Sequence, residues 1–457
     1  MTPGRPAETT ARSTAALPKE FWTANLLELL ERAAFYGFYI SITLFLTDVV
    51  GFSDRETGVV AGVFVGVLYF LTPFVGALSD RMGYRRAMVL AFSLLATGYG
   101  LMALFHGRAA VVAALMLIAV GGAFVKPLVT GTVARTTSQD NRARGYALFY
   151  WIVNIGSFSG KTVVPFIRIG AGVAAVNVFA AGICLVALLC TLVWYRPPDS
   201  PTRPQSLGEV AIALGKVFRR PRLVLLILIV SGFWTTQYQL YATMPKYVIR
   251  LLGQNAKPEW IANVNPLVVV LFVVLITRLT KRWRASTSIF CGMLLVPLAS
   301  GLIASGQTLE RLLGPSIPVL GLVRVHPLVL MLVAGVALQG FAESLISPRY
   351  LEYFSVLAPK GEEGTYLGFA YLYSFFAAVA GFMLSGVLLD RYCPDPKTLP
   401  AGLDAAQRAA YYQHASTIWL YFIAIGIATA LALRAFAWWF EERGLSTERS
   451  PQARGER

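Results

Sequence analysis

Apolar runs long enough to cross a bilayer recur from one end of this sequence to the other, and they leave few folds open. About twenty consecutive apolar residues, wound as a helix, span the ~30 Å hydrocarbon core. Twelve such runs can be read. Six fall near Phe21–Val50, Glu56–Ser79, Ala87–Phe105, Ala109–Thr132, Gly145–Ile167 and Ala171–Tyr195. Six more fall near Leu223–Leu252, Pro258–Leu279, Thr287–Ala304, Pro327–Tyr353, Thr365–Leu389 and Tyr411–Phe440. The chain is 56% hydrophobic and only 14% charged, with a mean hydropathy of +0.60. That is too little charge to cover a soluble protein of 457 residues. The expected fold class is therefore an all-α membrane protein of about twelve transmembrane helices.

The net charge of +16 raises nucleic-acid binding for a soluble chain, but its distribution argues otherwise. With both termini inside, the inner loops and tails hold about 25 Lys/Arg and the outer ones about 11, the positive-inside bias of a membrane protein. This excludes a nucleic-acid face and places both termini in the cytoplasm. The organisation read from the pattern is a cytoplasmic tail (1–20), a six-helix bundle (21–195), a cytoplasmic linker (196–222), a second six-helix bundle (223–440) and a cytoplasmic tail (441–457). The Pro-, Arg- and Ser-rich linker contains Leu207 to Phe218, which reads as a short amphipathic helix lying on the membrane. The first twenty residues carry no apolar core of a cleaved signal peptide. The tail after Arg443 reads as disordered. A multi-pass protein of the cell (inner) membrane, working as a monomer, is the expectation.

Within the spans, the exceptions are informative. Glu28, Glu31 and Arg32 lie in the first. An ionised group at mid-bilayer costs about 2.5–3.5 kcal/mol on insertion scales, whereas a Leu returns about 0.3–0.6 kcal/mol. Such groups persist when they face one another or a wet cavity. Glu28, Arg32 and Tyr36 stand at i, i+4 and i+8 with Glu31 one position aside, so all four share one face. Lys126 lies in the fourth span before Pro127. Lys161 lies in the fifth, two turns beyond Asn154 on the same face. Glu343 lies in the tenth. Arg434, near an inner end, can reach the interface. Structural ion pairs are the plain alternative, but buried pairs contribute little to stability. Ionisable groups inside a membrane mark pathways and relays.

At the end of the second span, Gly76-Ala-Leu-Ser-Asp80-Arg81-Met-Gly83-Tyr-Arg85-Arg86 resembles the short loop motif of the major facilitator superfamily, where Gly76, Asp80, Arg81 and Gly83 would form a conformational element. Further segments resemble, in order, the proton-dependent oligopeptide transporter family within that superfamily. They are Glu28-Leu-Leu-Glu31-Arg32-Ala-Ala-Phe35-Tyr36-Gly37, Gly121 to Pro127, Phe149-Tyr150-Trp-Ile-Val-Asn154-Ile-Gly156-Ser157, Phe233-Trp234 through Gln239, Asn265-Pro266, and Glu343 to Tyr353 with Ala358-Pro359. The resemblance implies the major facilitator fold and symport of a di- or tripeptide or similar small zwitterion with protons. It implies that Arg32 and Lys126 hold a substrate carboxylate and that Asn265 and Glu343 hold its amino group. Tyr36, Tyr69 and Asn154 would line the cavity, and Glu28 and Glu31 would couple protonation to Arg32. The chain departs from the pattern at Ala33, Ala34 and Phe35, at Tyr238 where an acid precedes Gln239, and at Lys161. The last suggests a more basic pocket and joins the expected substrate contacts.

The alternative reading is a carrier of another small organic anion, metabolite or natural product, in either direction. The Arg32, Lys126 and Lys161 excess favours anions. A sensor that kept the fold but lost transport is a third reading, favoured by Tyr238. A membrane enzyme lacks support, since GxSxG, HExxH and GxxxxGK[ST] are absent. Cys184, Cys190 and Cys291 fall in spans and read as packing residues. Cys393 falls in an expected outer loop. No disulfide, structural metal or cofactor is expected, and the proton is the coupling ion. His106, His326 and His414 read as solvated loop residues.

Overall fold

The computed structural model describes residues 17–138, 141–198, 206–319, 322–357 and 369–442. The first bundle comprises α1 (Lys19–Asp48), α2 (Asp54–Met82), α3 (Tyr84–Leu104), α4 (Arg108–Thr136), α5 (Arg142–Ala171) and α6 (Ala175–Trp194). The linker helix α7 covers Leu207–Phe218, the segment expected from its amphipathic pattern. The expected tails fall largely outside the described residues.

In the second bundle two crossings are broken. The seventh consists of α8 (Pro221–Gln237), α9 (Gln239–Ala242) and α10 (Met244–Leu252), and the eighth of α11 (Pro258–Ala262) and α12 (Val264–Leu279). Prolines explain much of this. Pro245 and Pro266 bring no N–H to the carbonyls of Tyr241 and Ala262 four residues earlier. The ninth helix, α13 (Ala285–Leu313), runs nine residues past its expected end at Ala304 and stops at Gly314, φ +82°. Its last turns are polar (Gln307, Glu310, Arg311) and so lie outside the apolar window. An antiparallel hairpin, β1 (Ile317–Val319) with β2 (Val323–Val325), follows; among the described residues these two three-residue strands are the only ones. Then come α14 (Pro327–Leu357), α15 (Leu372–Tyr392), α16 (Ala405–Tyr411) and α17 (Thr417–Ala437). The twelfth crossing starts at Thr417 rather than Tyr411. The preceding turn is a separate helix held by a capping box, in which Asp404 accepts from the Gln407 N–H at 2.7 Å and donates its own N–H to the Gln407 side chain at 3.0 Å.

Eleven helical segments have both the length and the apolarity to cross a membrane. The twelfth crossing is α5, 30 residues long but carrying Arg142, Arg144, Lys161 and Arg168. Exposed apolar side chains concentrate on outward faces, as with Leu185, Val186, Leu189 and Val193 of α6 or Leu267, Leu271 and Val274 of α12. Such faces suit lipid, not water. The four cysteines are free thiols. Cys393 follows α15 directly and is buried there, and its carbonyl accepts from Arg250 at 2.5 Å, which ties the chain to α10.

Two glycines do specific work. Gly83 joins α2 to α3 with a single residue at φ +84°, a conformation other residues resist. Gly58 lets α2 lie against α15 so closely that a Cβ there would strike the Phe382 carbonyl. A bulky group at Gly58 should therefore cost about 1–3 kcal/mol through overpacking. Gly58→Leu is expected to lower the thermal unfolding temperature of detergent-purified protein, while Gly100→Leu, where a Cβ meets nothing within 4 Å, is not. Equal behaviour of the two variants would show that α2 and α15 do not approach this closely.

Candidate functional site

The intramembrane charges converge. Arg32 lies mid-way along α1, about 20 Å from its N-terminal start and about 24 Å from its C-terminal end at 1.5 Å per residue. Its guanidinium contacts the Glu31 carboxylate directly and reaches Glu28 Oε1 at 3.4 Å. Both carboxylates are 1% exposed, and each keeps one oxygen without a hydrogen-bond partner. Two anions thus share one cation, which is the i, i+4 arrangement the sequence requires. Phe35 and Tyr36 flank the guanidinium, with ring centroids 5.4 and 5.8 Å away.

Glu28, Arg32, Tyr36, Tyr69, Lys126, Asn154, Asn265 and Glu343 all line one central chamber of about 230 Å³. Lys126, on α4, rests over the Tyr371 ring at 4.2 Å. Among the described residues no carboxylate pairs with it. Across the chamber on α14, Glu343 Oε2 accepts from Gln237 Nε2 at 3.1 Å and from Asn265 Nδ2 at 3.2 Å. Among the described residues no cation pairs with it. Asn154 uses its amide nitrogen on the Tyr150 carbonyl at 2.9 Å, one turn back on α5. Each bundle therefore presents one charged end: an ammonium without a carboxylate partner from the first, a carboxylate without a cation partner from the second.

Aromatic rings form the roof. Tyr39 of α1 stacks on Tyr241 of α9 with centroids 4.4 Å apart, and Tyr39 also meets Phe382 of α15 at 5.8 Å. Above the roof, ion pairs bind the bundles together. Asp54 receives Lys246 at 2.7 Å and Arg250 at 2.8 and 2.9 Å, and Arg168 meets Glu259 at 2.6 Å. Arg55 meets Asp390 at 2.8 Å, and Lys397 meets Asp48 at 3.8 Å. Among the described residues every ion pair that crosses between bundles lies at this end, where α1 finishes and α2 begins. The chamber is sealed there.

Two expected contacts lie elsewhere. Lys161 does not line the chamber. It is fully buried between the bundles, behind the rings of Tyr36 and Tyr241. Glu31 also stands behind the lining, on the far side of Arg32. The loop motif forms as a unit at the opposite end. Asp80 receives Arg135 at 3.0 Å, Arg135 covers Tyr84 at 3.7 Å, and a Cβ added at Gly76 would meet the Pro127 ring at 3.6 Å. Arg81 is exposed. Of the histidines, His106 and His414 are exposed, while His326 lies 3.4 Å from Glu310. Sequence reasoning missed Gln237 and Trp234, Tyr241, Tyr371 and Tyr373 of the lining. A glutamine inside the apolar seventh span was the available signal.

Two helical bundles closed over a charged, aromatic chamber at the middle of the membrane define a transport protein. Residues 25–313 match the Major Facilitator Superfamily, and the chain belongs to it. Dipeptide and tripeptide permease A of Erwinia pyrifoliae is 25% identical, over 80% of this chain and 83% of the permease. Multidrug resistance protein MdtH of Aeromonas hydrophila is 23% identical, over 81% of this chain and 87% of that protein. The crystal structure of an auto-inhibited POT family peptide transporter superposes with a TM-score of 0.70 at 18% identity, covering 92% of this chain and 97% of that one. The protein is a multi-pass membrane transporter of this fold.

Proposed function

We propose that this chain is a proton-coupled symporter of di- and tripeptides or similar small zwitterions, working by alternating access in the cell (inner) membrane. One observation carries the reading: the Lys126 ammonium and the Glu343 carboxylate face the same chamber from opposite bundles. A zwitterion joins them, carboxylate to Lys126 and amino group to Glu343, with Asn265 helping at the second end. Charge-assisted hydrogen bonds of this kind are about twice as strong as neutral ones. Bridging also gives the ligand a mechanical role, since it draws the two bundles together.

The proton enters through Glu28, Glu31 and Arg32. With both carboxylates ionised, Arg32 is held by them. Protonation of one weakens that hold and turns Arg32 toward a substrate carboxylate. Release of the proton to the cytoplasm restores the triad and ejects the substrate. One proton crossing about 100 mV and one pH unit releases roughly 3.7 kcal/mol, enough for several-hundred-fold accumulation. The outer ion pairs of Asp54, Lys246 and Arg250 must part to load the chamber, and Asp80 with Arg135 would steady the first bundle as it rocks.

The likeness to a dipeptide and tripeptide permease supports this substrate class, and the likeness to a multidrug resistance protein supports a second reading, movement of an amphiphilic product. The aromatic lining of the chamber would serve that reading too. Purified protein in proteoliposomes separates the two. Under an inward proton gradient, dialanine and trialanine are expected to accumulate inside, whereas lipophilic cations are not. Efflux of the cations without peptide uptake reverses the assignment.

A further inference from the structure

Among the described residues, Lys161 is the only fully buried lysine or arginine with no carboxylate partner. Its Nζ makes one hydrogen bond, to the Ala262 carbonyl at 3.3 Å. That carbonyl is available because Pro266, four residues on, has no N–H to return to it. The remaining neighbours are ring faces, Tyr36 and Tyr241, each 5.7 Å away. An ammonium has three donors to satisfy. One long bond and two ring faces serve it poorly, and an uncompensated buried charge costs several kcal/mol.

The position of Lys161 gives that mismatch a direction. It lies in the seam between α5 of one bundle and α11 of the other. Around it the seam is stitched by Trp260 Nε1 to the Thr162 carbonyl at 3.2 Å, and by Asn263 Nδ2 to the Phe158 carbonyl at 3.1 Å and to Thr162 Oγ1 at 2.8 Å. Two turns further out, Arg168 and Glu259 close it. When the outer end opens, these contacts part and Lys161 meets water. When it closes, Lys161 is enclosed as seen here.

We propose that Lys161 is a proton-carrying residue of the transport cycle, protonated from the outer side while the α5–α11 seam is open and deprotonated as the seam closes. The proposal rests on the proton-coupled reading above and extends it. The proton leaves to water on the chamber side: one ammonium N–H bond breaks and one O–H bond forms on the accepting water, so the buried positive charge is removed and the Glu343 carboxylate stays ionised for the ligand's amino group. The titratable groups that face Lys161 are Tyr36 on α1 and Tyr241 on α9, with Glu343 on α14 the carboxylate whose field reaches it; Glu259 on α11 is already paired with Arg168. The neighbouring α6 carries no charged residue.

Spin labels at Ala171 and Asn255, on exposed positions either side of the seam, test this in the full chain with Cys190 and Cys291 replaced by Ser. Distances are measured in nanodiscs by pulsed electron spin resonance, without substrate. Acidification should raise the open population by at least about threefold in the parent chain. Lys161→Met should lose more than about half of that response, and Lys161→Arg, which keeps its charge, should stay open at every pH. A packing role alone would not move Met and Arg in opposite directions. A pH response in Lys161→Met equal to the parent's, or none in the parent, overturns the proposal. Dialanine uptake by the parent protein is read separately. Gradient-driven uptake with an unchanged Lys161→Met response removes Lys161 alone, whereas uptake indifferent to the gradient removes the proton-coupled reading itself.

Discussion

Replacing Glu31 by Gln is expected to abolish accumulation against a gradient, while exchange of labelled for unlabelled substrate persists within about threefold. Glu31 touches the Arg32 guanidinium directly and is buried behind it. The amide has nearly the same shape but carries no charge and cannot titrate in this range. Arg32 then keeps only Glu28, at 3.4 Å, in every state of the cycle. The bundles can still rock around a bound ligand, but no proton crosses with each turn. A ratio of several hundred inside to outside, sustained by roughly 3.7 kcal/mol per proton, should collapse to about one. The pH dependence follows the same logic. Uptake by the unmodified protein should rise as the outer pH falls, and the variant's should be flat. Driven uptake that survives in Glu31→Gln with its pH dependence intact would sink the coupling scheme.

The second large effect concerns the two ends of the ligand. Removing one partner of a charged hydrogen bond costs about 1.5–3 kcal/mol, so Lys126→Ala and Glu343→Gln should each weaken dialanine binding about 10- to 150-fold. Chemical changes in the ligand locate the ends. N-Acetyl-dialanine lacks the amino group that Glu343 would hold, so it should bind the unmodified protein weakly and Glu343→Gln no more weakly. Dialanine amide should show the matching insensitivity to Lys126→Ala. Calorimetry on purified protein measures all nine affinities, three ligands on three proteins. If both ligand changes are felt equally in both variants, the zwitterion does not lie along the line from Lys126 to Glu343.

The pairing of Arg32 with Glu28 and Glu31 was legible because it is local. Positions i and i+4 on a helix face the same way whatever surrounds them. The convergence of Lys126 and Glu343 on one chamber was legible only as a demand, since neither charge could be left in lipid. Lys161 satisfied the same demand differently. The pattern required that it avoid lipid, and the fold met this by burying it in the seam rather than in the chamber. Gln237 went unread because an uncharged amide in an apolar span carries far less cost than an ionised group.

By itself the sequence determined the number of the crossings and, to within several residues, their place, together with the linker helix at Leu207–Phe218 and the charged face of α1. All of these depend on hydropathy and a 3.6-residue period within one segment. Only the tertiary structure decided where α8 to α12 break, which carbonyl Lys161 would find, and how Asp54 closes the outer end with Lys246 and Arg250, 192 and 196 positions away. The physical reason is that such partners are chosen by how two bundles dock. Docking depends on side chains brought together from distant parts of the chain, which no local pattern encodes.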